Sequence, residues 1–567
     1  MEILGLLLVI LVLFAVAFRT YGRLLARWFQ LKQETPTPAH SHADGVDFVP
    51  TPRGYLLAQH FSAIAAAGPI VGPITAALAF GWMPALLWIV VGSIFIGAMH
   101  DFAALIGSVR HGAKSVATIV QQVMPGPAYF YFLTFVWLAL VYVIVAFTDI
   151  TAGAFTDNLS LDGGRSVSGG GVAMSSLLYL AVGIALGLTL RAGVRLSIAA
   201  SIFVPLVLVS IWVGQEMPIT PPAWMGGTRL AWNYIILVYC ALASVVPMWA
   251  LLQPRGFLGG FFLYGVLGAS LLGIVVGGIS GESSIQWPAF IDATNDRVGP
   301  LYPFLFITIA CGACSGFHGL VCSGTTSKQL DKETDAHVVG YGGMLLEGVV
   351  AVISVLCVMS LTRGSAAASL NPDKIYALGV AKFVEAFGIK AELAVSFALL
   401  AFTTFVYDTL DVATRLGRYI IQELTGFKGR KGAVFGTLAT LVLPAVFVSA
   451  KMSDASGGAI PAWKLFWPVF GTSNQLLAAL TLLGITLWVR RGKHAWVAWI
   501  TGVPMLFMMT TTIWALILSV SKSADAWSSK GAVDAPGVIS VVLLLLAFML
   551  IVQAIKSLWS GNRAPVQ

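Results

Sequence analysis

Long apolar runs dominate the sequence and limit what it can fold into. About fifteen runs of roughly 18 or more residues occur, and in a lipid bilayer a run of that length satisfies its backbone hydrogen bonds only as a helix. The predicted spans are residues 3–18, 56–80, 82–106, 127–147, 173–190, 196–214, 231–251, 257–279, 301–321, 339–362, 391–410, 432–449, 465–489, 495–519 and 536–556. The sequence therefore predicts an all-α integral membrane protein with about fifteen transmembrane helices.

Composition excludes a soluble globular protein. Of the 567 residues, 58% are hydrophobic and only 10% are charged, whereas soluble domains have about 25% charged residues. The basic residues do not cluster on a polar face, so the net charge of +8 indicates no nucleic-acid partner. The chain has no Walker loop, HExxH or G-x-S-x-G motif. We therefore expect neither an enzyme nor a bound cofactor or metal, and any active transport would draw on an ion gradient.

The distribution of Lys and Arg predicts the orientation. One set of alternating loops carries roughly twice as many Lys and Arg residues as the other, and such loops face the cytoplasm. The amino terminus is then outside and the carboxyl terminus inside. The first run carries Glu2 in place of a basic segment, and Arg19 follows it in place of a cleavage site. We interpret it as a retained span and not as a signal peptide.

Clustered Gly and Pro inside a span indicate a broken helix at a transport site. The second span contains two Gly-Pro pairs, Gly68-Pro69 and Gly72-Pro73, and a kinked, closely packed helix is the alternative. A second interruption is predicted at 244–249, in the seventh span. The odd offset makes the two spans run in opposite directions, as inverted repeats require. Substrate is predicted between the two breaks, its carboxylate facing half-helix amino termini, with the site residues Gln59, His60, Ala67, Gly68, Pro69, Ser244, Pro247 and Trp249.

A third interruption, at 308–328, is rich in small and hydroxyl residues. Small residues allow helices to approach closely, and Ser and Thr oxygens can also ligate Na⁺. Asn474 and Gln475 follow another Pro-Gly break and either hydrogen-bond between helices or line a cavity. His40 and His42 lie in a polar linker, where a surface metal is the alternative to a solvated segment.

Ionisable residues at membrane depth are candidates for ion or proton coupling, because each costs free energy in hydrocarbon. Asp101, Glu347 and Asp408 are the predicted carboxylates, and Asp408 is the strongest because it lacks a local cation. Asp411 lies one turn from Arg415, and an ion pair between them is as plausible as a functional role. His60 and His318 also titrate near neutrality, although a packing role is the alternative for each.

Five long motifs resemble the carbon starvation (CstA) family of bacterial inner-membrane transporters. They are QHFSAIAAAGPIVGPI (59–74), PFLFITIACGACSGFHGLVCSGTTSKQL (303–330), VGYGGMLLEG (339–348), DTLDVATRLGRYIIQEL (408–424) and WPVFGTSNQLLAALTL (467–482). The resemblance implies uptake of peptides or pyruvate, with proton symport in the pyruvate transporters. It also implies the amino acid/polyamine/cation transporter architecture, a LeuT-like core of two inverted five-helix repeats plus peripheral helices.

The resemblance further implies the organisation of the chain. The expected regions are a first helix and cytoplasmic linker (1–55), a first repeat (56–214), a second repeat (231–424) and additional C-terminal helices (432–567). The span 301–321 would be core helix eight. By carry-over from related folds, a coupling cation would lie near Ala66, Ile70, Ser323 and Thr326.

The function predicted from these features is secondary active import by alternating access. The substrate is pyruvate or a short peptide, and the coupling ion is H⁺ or Na⁺. A passive channel and a membrane sensor that binds solute without transporting it are the alternatives. The expected partners are the small-molecule solute, the coupling ion and membrane lipid, and the oligomeric state stays open.

Overall fold

The computed structural model describes residues 2–559, apart from 45–47, 125, 162–163, 226, 282–283, 386, 451–459, 493–494 and 531–533. Helices form nearly all regular structure in this part of the chain, as the apolar runs predict. The helices are α1 (Glu2–Arg19), α2 (Tyr21–Trp28), α3 (Pro38–Ser41), α4 (Arg53–Ile64), α5 (Gly68–Phe80), α6 (Trp82–Gly92), α7 (Ala98–Arg110), α8 (Val116–Val123), α9 (Ala128–Thr156), α10 (Gly169–Arg191), α11 (Leu196–Glu216), α12 (Thr228–Val245), α13 (Leu252–Ile279), α14 (Leu301–Thr308), α15 (Ala310–Ala313), α16 (Gly316–Gly324), α17 (Gly342–Met359), α18 (Pro372–Glu385), α19 (Ala391–Thr425), α20 (Gly429–Ser449), α21 (Ala462–Arg490), α22 (Ala498–Lys530) and α23 (Ala535–Trp559).

Two short antiparallel hairpins complete the regular structure of the described residues. In the first, β1 (Leu159–Ser160) pairs with β2 (Ser166–Val167). In the second, β3 (Thr294–Asn295) pairs with β4 (Gly299–Pro300). Both lie in connections between long helices.

The membrane helices follow the predicted spans closely. Within the described residues, 13 helices are long and apolar enough to cross a membrane, and the bent pair α4–α5 makes up to 14. Each corresponds to one of the runs predicted from sequence. The remaining predicted span, 301–321, is divided into the three short helices α14, α15 and α16. The chain is therefore a multi-pass membrane protein.

The first predicted break is present. α4 ends at Ile64, α5 begins at Gly68, and the two helices are bent by 48°. Pro69 lacks a backbone N–H and disfavours a helical conformation in the residue before it, so the helix does not continue through this segment. A bent, interrupted helix is thus found where the two Gly-Pro pairs predict it.

The second predicted break is wrong. The segment 244–249 lies at the junction of two helices: α12 ends at Val245, a short 3₁₀ turn covers Met248–Ala250, and α13 begins at Leu252. Pro247 comes immediately before this turn, where its fixed φ of −55° suits a connection. The Pro ends a span and does not interrupt one.

The third predicted interruption, at 308–328, is present, and the second interrupted run is therefore 301–324. Its helical hydrogen bonding breaks at Ile309, between α14 and α15, and again at Cys314 and Ser315, where the backbone is extended. Gln475 Nε2 donates to Phe306 O at 2.5 Å, and Phe317 N donates to Asn474 Oδ1 at 2.9 Å. The adjacent amides of α21 thus satisfy backbone groups on both sides of the interruption, which answers the question left open for Asn474 and Gln475.

The two interrupted runs pack directly on each other through glycines. A Cβ added at Gly72 would lie 2.3 Å from Thr308 O, and one added at Gly68 would lie 2.4 Å from Cys311 Sγ. Only a residue without a side chain permits this approach. The breaks therefore form one closely packed centre, joining segments about 240 residues apart in sequence.

The same order of elements occurs twice along the chain. In the first half, an interrupted helix (α4–α5) precedes a long helix with a π turn at Ser93–Gly97, then the short α8 and the long α9. In the second half, the interrupted run 301–324 precedes α17 with a π turn at His337–Tyr341, then α18 and the long α19. Each series thus begins with an interrupted helix and ends with a long one.

Candidate functional site

A small cavity of about 20 Å³ lies beside the first interrupted helix. Four of the predicted site residues line it, namely Gln59, His60, Thr326 and Asp408. The other lining residues are Leu56, Ala63, Leu252, Gly256, Val321, Thr325, Gln329 and Val412. Gln59 and His60 are buried, and Gln59 Oε1 and His60 Nε2 have no hydrogen-bond partner within the described part of the chain.

Further cavities extend from this one toward one end of the molecule. A second small cavity, of about 10 Å³, shares Leu252, Thr325 and Val412 with it. That cavity in turn shares Lys328 and Leu416 with a larger space of about 500 Å³. The last is lined by Lys114 and other residues of the loops rich in Lys and Arg. The three spaces form a series that leads from Gln59 and His60 to this end of the molecule.

Asp101, His318 and Glu347 meet on one side of the site, together with His100. We call these four residues the histidine–carboxylate cluster. Asp101 Oδ1 lies 2.8 Å from His100 Nδ1, and Asp101 Oδ2 lies 2.8 Å from His318 Nδ1. His318 Nε2 lies 2.9 Å from Glu347 Oε2. All four side chains are fully buried.

His60 connects this cluster with the cavity. Its Nδ1 lies 2.9 Å from Thr326 Oγ1, and its ring packs against Gly343, where an added Cβ would lie 3.0 Å from His60 Cδ2. Gly343 precedes Glu347 by one turn of α17, so both residues lie on the same face of that helix. His60 is therefore a wall residue between the cavity and the face that carries Glu347.

Asp408 belongs to a second buried group, which we call the arginine cluster: Arg255, Asp408, Asp411 and Tyr239. Arg255 Nε donates to Asp408 Oδ1 at 2.6 Å, and Arg255 Nη1 lies 2.6 Å from Asp411 Oδ2. Tyr239 OH donates to Asp411 Oδ2 at 2.8 Å and also accepts from Arg255. Ser62, in the last turn of α4, donates to Asp408 Oδ2 at 2.5 Å.

The arginine cluster shows the partners of both aspartates. Asp408 has no cation nearby in its own helix, but Arg255 reaches it from α13. The cation nearest Asp411 is also Arg255, and the alternative of an Asp411–Arg415 ion pair is wrong: Arg415 Nη2 donates to the carbonyl oxygens of Ala243 and Val246. Arg255 is not among the candidate residues predicted from sequence. The signal that could have found it is the unmet need of two carboxylates in one span for a buried cation.

The other predicted substrate residues lie away from the cavity. Ala67, Gly68 and Pro69 are buried at the packed centre of the two breaks. Ser244 hydrogen-bonds with Thr437 at 3.0 Å, and the ring of Trp249 lies 4.1 Å from the Arg191 guanidinium. Pro247 is exposed in the connection between α12 and α13. The structure therefore does not bring these six residues to the cavity that Gln59 and His60 line.

The residues expected to hold a coupling cation also lie in different parts of the structure. Ala66 and Ile70 are buried in the packed centre. Ser323 donates to Gly319 O at 2.8 Å within its own helix, and only Thr326 reaches the cavity. In the linker, His40 Nε2 lies 2.8 Å from Asp331 Oδ1, and His42 Nδ1 lies 3.0 Å from Ser41 Oγ.

A third ionic group joins three helices at the opposite end from the cavity series. Asp149 of α9 accepts two hydrogen bonds from Arg229 of α12, at 2.9 and 3.1 Å. It also accepts from Trp463 N at the start of α21, at 3.0 Å, and from Asn233 Nδ2 at 3.3 Å. Asp149 is buried and joins α9, α12 and α21 at this end. Asp149 is not among the candidate residues predicted from sequence.

Comparison with known proteins identifies the relatives of this chain. The family model described as "Carbon starvation protein CstA" matches residues 3–372 and 363–515. The peptide transporter CstA of Campylobacter jejuni is 32% identical over 92% of this chain and 82% of its own length. The pyruvate/proton symporter BtsT of Escherichia coli is 30% identical over 89% of this chain and 80% of its own length.

Solved structures match over most of the chain at low identity. A manganese transporter from Eremococcus coleocola covers 91% of this chain at 13% identity, with a TM-score of 0.47. The transporter MhsT in complex with L-phenylalanine covers 82% at 12% identity, with a TM-score of 0.49.

Proposed function

The chain belongs to the CstA family of membrane transporters, and we propose that it imports a small carboxylate nutrient, pyruvate or a short peptide, by proton symport. The observation that supports proton coupling most directly is the histidine–carboxylate cluster. Two carboxylates and two imidazoles lie in one series of contacts of 2.8 to 2.9 Å, without contact with solvent, behind the wall of the cavity. Groups of this kind at membrane depth serve as proton relays.

Sodium coupling has less support in the site. Na⁺ prefers oxygen ligands, as hard cations do. The richest group of side-chain oxygens near the first break is that of Ser62, Asp408, Asp411 and Tyr239, and the Arg255 guanidinium already occupies its centre. A resident cation there leaves H⁺ as the ion that the remaining groups can carry. The relative BtsT is named a pyruvate/proton symporter, which supports the same choice.

Two inverted repeats are the architecture that we propose for the core. We take the divided run 301–324 as one crossing, which brings the proposed total to fifteen. It is then the eighth crossing in a series that starts with α4–α5, and the odd offset of seven makes the two interrupted helices antiparallel. This places the second repeat later in the chain than the sequence alone suggests, with α14–α16 in place of the span at 231–251.

The boundaries of the repeats follow from packing. α13 lies against α4, where a Cβ added at Gly260 would be 2.9 Å from Ala58 O. α21 lies against α14 in the same way, and a Cβ added at Gly471 would be 2.5 Å from Ile307 O. We therefore propose residues 53–279 and 301–490 as the two repeats, with α10 and α11 as an inserted helix pair and α1, α22 and α23 as peripheral helices.

The molecule is open at one end and closed at the other, as alternating access requires of each conformation. The cavity series extends to Lys114 and Lys328, in loops whose positive charge indicates the cytoplasm. The opposite end is held by Asp149, Arg229 and Trp463. We propose that this conformation faces inward in a bacterial inner membrane, with the amino terminus outside. The outward-facing state then requires the contacts of Asp149 to open.

Proteoliposome transport tests the proposed function. The purified chain is reconstituted, and uptake of labelled pyruvate and of alanyl-alanine is measured with an imposed pH gradient, in the presence and absence of Na⁺. We expect accumulation that requires the pH gradient and does not require Na⁺. Accumulation that follows a Na⁺ gradient at constant pH would contradict proton symport.

Glu347→Gln is the variant that tests the cluster. It removes the titratable group and keeps the shape of the side chain. We expect gradient-driven accumulation to be lost while counterflow, which needs no net proton movement, continues. His42→Gln, in the polar linker, is the matched control. Solute binding without uptake would favour a sensor, and uptake rates above those of carriers with no gradient dependence would favour a channel.

A further inference from the structure

We infer that Arg255 is the binding group for the carboxylate of the transported solute, and that Asp408 occupies it until Asp408 takes up the coupled proton. The inference rests on the proposed function and specifies how that site selects its substrate and its stoichiometry. It assigns a charge-exchange site to the arginine cluster, formed by α4, α12, α13 and α19.

The position of Arg255 supports this role. Its side chain is fully buried, and its Nη2 has no hydrogen-bond partner among the residues that the structure describes. Leu252 precedes Arg255 by three residues in α13, and Gly256 follows it directly. Both line the cavity, and so does Asp408. The guanidinium thus lies directly behind the cavity, with the Asp408 carboxylate in contact with it. A guanidinium binds any planar carboxylate by the same paired geometry.

The charges around Asp408 make the exchange depend on a proton. The groups around Asp408 are Arg255 from α13, Tyr239 from α12, Tyr179 from α10, Ser62 from α4 and Asp411 from its own helix. Arg415 lies one turn beyond Asp411 and donates to backbone carbonyls of α12. Two arginines and two aspartates balance while all four are ionised. A carboxylate solute that entered alone would leave one uncompensated negative charge in a buried site, which is strongly unfavourable. A proton on Asp408 restores the balance and frees Arg255 at the same time.

The stoichiometry and the ligand chemistry follow from this balance. One proton enters with one carboxylate, so uptake of pyruvate moves no net charge, whereas uptake of a zwitterionic peptide moves one positive charge. The required feature of the ligand is the carboxylate itself, which pyruvate and the C-terminus of a peptide share. The rest of the cavity offers amide, imidazole and hydroxyl groups from Gln59, His60 and Thr326. These can orient the remainder of either molecule by hydrogen bonding.

Binding measurements in detergent test the inference. Pyruvate is compared with methyl pyruvate, and alanyl-alanine with its carboxamide, so that each pair differs in the carboxylate. We expect the carboxylates to bind roughly 10- to 100-fold more tightly than the partners that lack the carboxylate. The Kd of the carboxylates should rise roughly tenfold per pH unit in the range where Asp408 is ionised in the free protein. Equal affinities within each pair would overturn the inference. Binding of pyruvate or of alanyl-alanine shows which of the two molecules supplies the carboxylate.

Two variants separate the roles of the two residues. Asp408→Asn should bind the carboxylates at all pH values without the pH dependence of the wild type, and should lose proton-driven accumulation. The double variant Arg255→Gln with Asp408→Asn keeps the charge balanced, so that it folds, and should lose carboxylate binding. Arg195→Gln, at an exposed loop position, is the control.

The outcomes distinguish this inference from the proposed function. If Asp408→Asn still accumulates pyruvate against its gradient under an imposed pH gradient, Asp408 is not the coupled acceptor and the inference fails, while proton symport stands. Carboxylate binding that persists in the double variant would likewise remove Arg255 from the site. A current carried by pyruvate uptake in the wild type would contradict electroneutral exchange.

Discussion

The histidine–carboxylate cluster and the arginine cluster are both buried beside one cavity, yet their charges are balanced in different ways. Arg255 carries a permanent charge, and both of its carboxylate partners depend on it. In the other cluster, the cationic partner of Asp101 and Glu347 is the imidazole of His318, whose charge depends on a bound proton. The comparison indicates that the arginine cluster keeps a fixed cation whatever its carboxylates bind, whereas the histidine–carboxylate cluster has a cation only while His318 is protonated.

Loss of the permanent cation should have the largest effect on stability. Arg255→Met leaves Asp408 and Asp411 buried without a charged partner from α13, and breaking a buried pair in this way costs about 3–5 kcal/mol. We expect a large fall in the apparent Tm in detergent. Adding Asp408→Asn should recover part of it, because one buried charge is removed. An unchanged Tm in Arg255→Met would show that the two clusters do not differ in this respect.

Loss of the imidazole should cost less. His318→Ala removes a polar partner of Asp101 and Glu347, but both carboxylates can take up protons and become neutral. We expect a loss of about 1–3 kcal/mol, the cost of buried polar groups that lose a hydrogen-bond partner. Thermal unfolding at two pH values measures it, and the loss should be smaller at the lower pH. A loss as large as that of Arg255→Met would contradict the distinction.

Ser62 provides a smaller test of the arginine cluster alone. Ser62→Ala removes one donor to Asp408 and leaves Arg255 in place, so we expect a stability loss of roughly 1 kcal/mol. The pH at which carboxylate binding weakens should shift upward, because the ionised form of Asp408 loses a hydrogen bond and the proton is held more tightly. Ser323→Ala, whose hydroxyl bonds within its own helix, is the matched control. A downward shift would be inconsistent with Ser62 acting on Asp408.

Glu347→Gln should have the smallest effect on stability, below about 1 kcal/mol, because a neutral amide replaces a buried acid of the same shape. Its expected loss of proton-driven accumulation, with little loss of stability, would mark Glu347 as a coupling residue. A fall in Tm comparable to that of His318→Ala would instead assign Glu347 a structural role.

The membrane helices of this protein, and the interruption between α4 and α5, can be predicted from sequence alone. Apolar length predicts the 13 long membrane helices, and the two Gly-Pro pairs predict the bend between α4 and α5. These features depend on hydrogen bonding within about four residues of the backbone, which a single segment carries in its own sequence. The carboxylates Asp101, Glu347 and Asp408 are also visible, because charge at membrane depth is costly wherever it occurs.

Which buried side chains contact each other depends on how the helices pack in the folded protein. In the sequence, Arg255 follows Pro254 beside a predicted loop, which is typical of a cytoplasmic cation. In the structure, packing of α13 against α4 and α19 buries it completely against Asp408, 153 residues away. His318 reaches Asp101 across 217 residues. The interruption predicted at 308–328 is stabilised from another helix, where Asn474 and Gln475 bond its backbone groups. Partners so distant in sequence leave no local pattern, since only the packing of helices brings their charges and hydrogen bonds together.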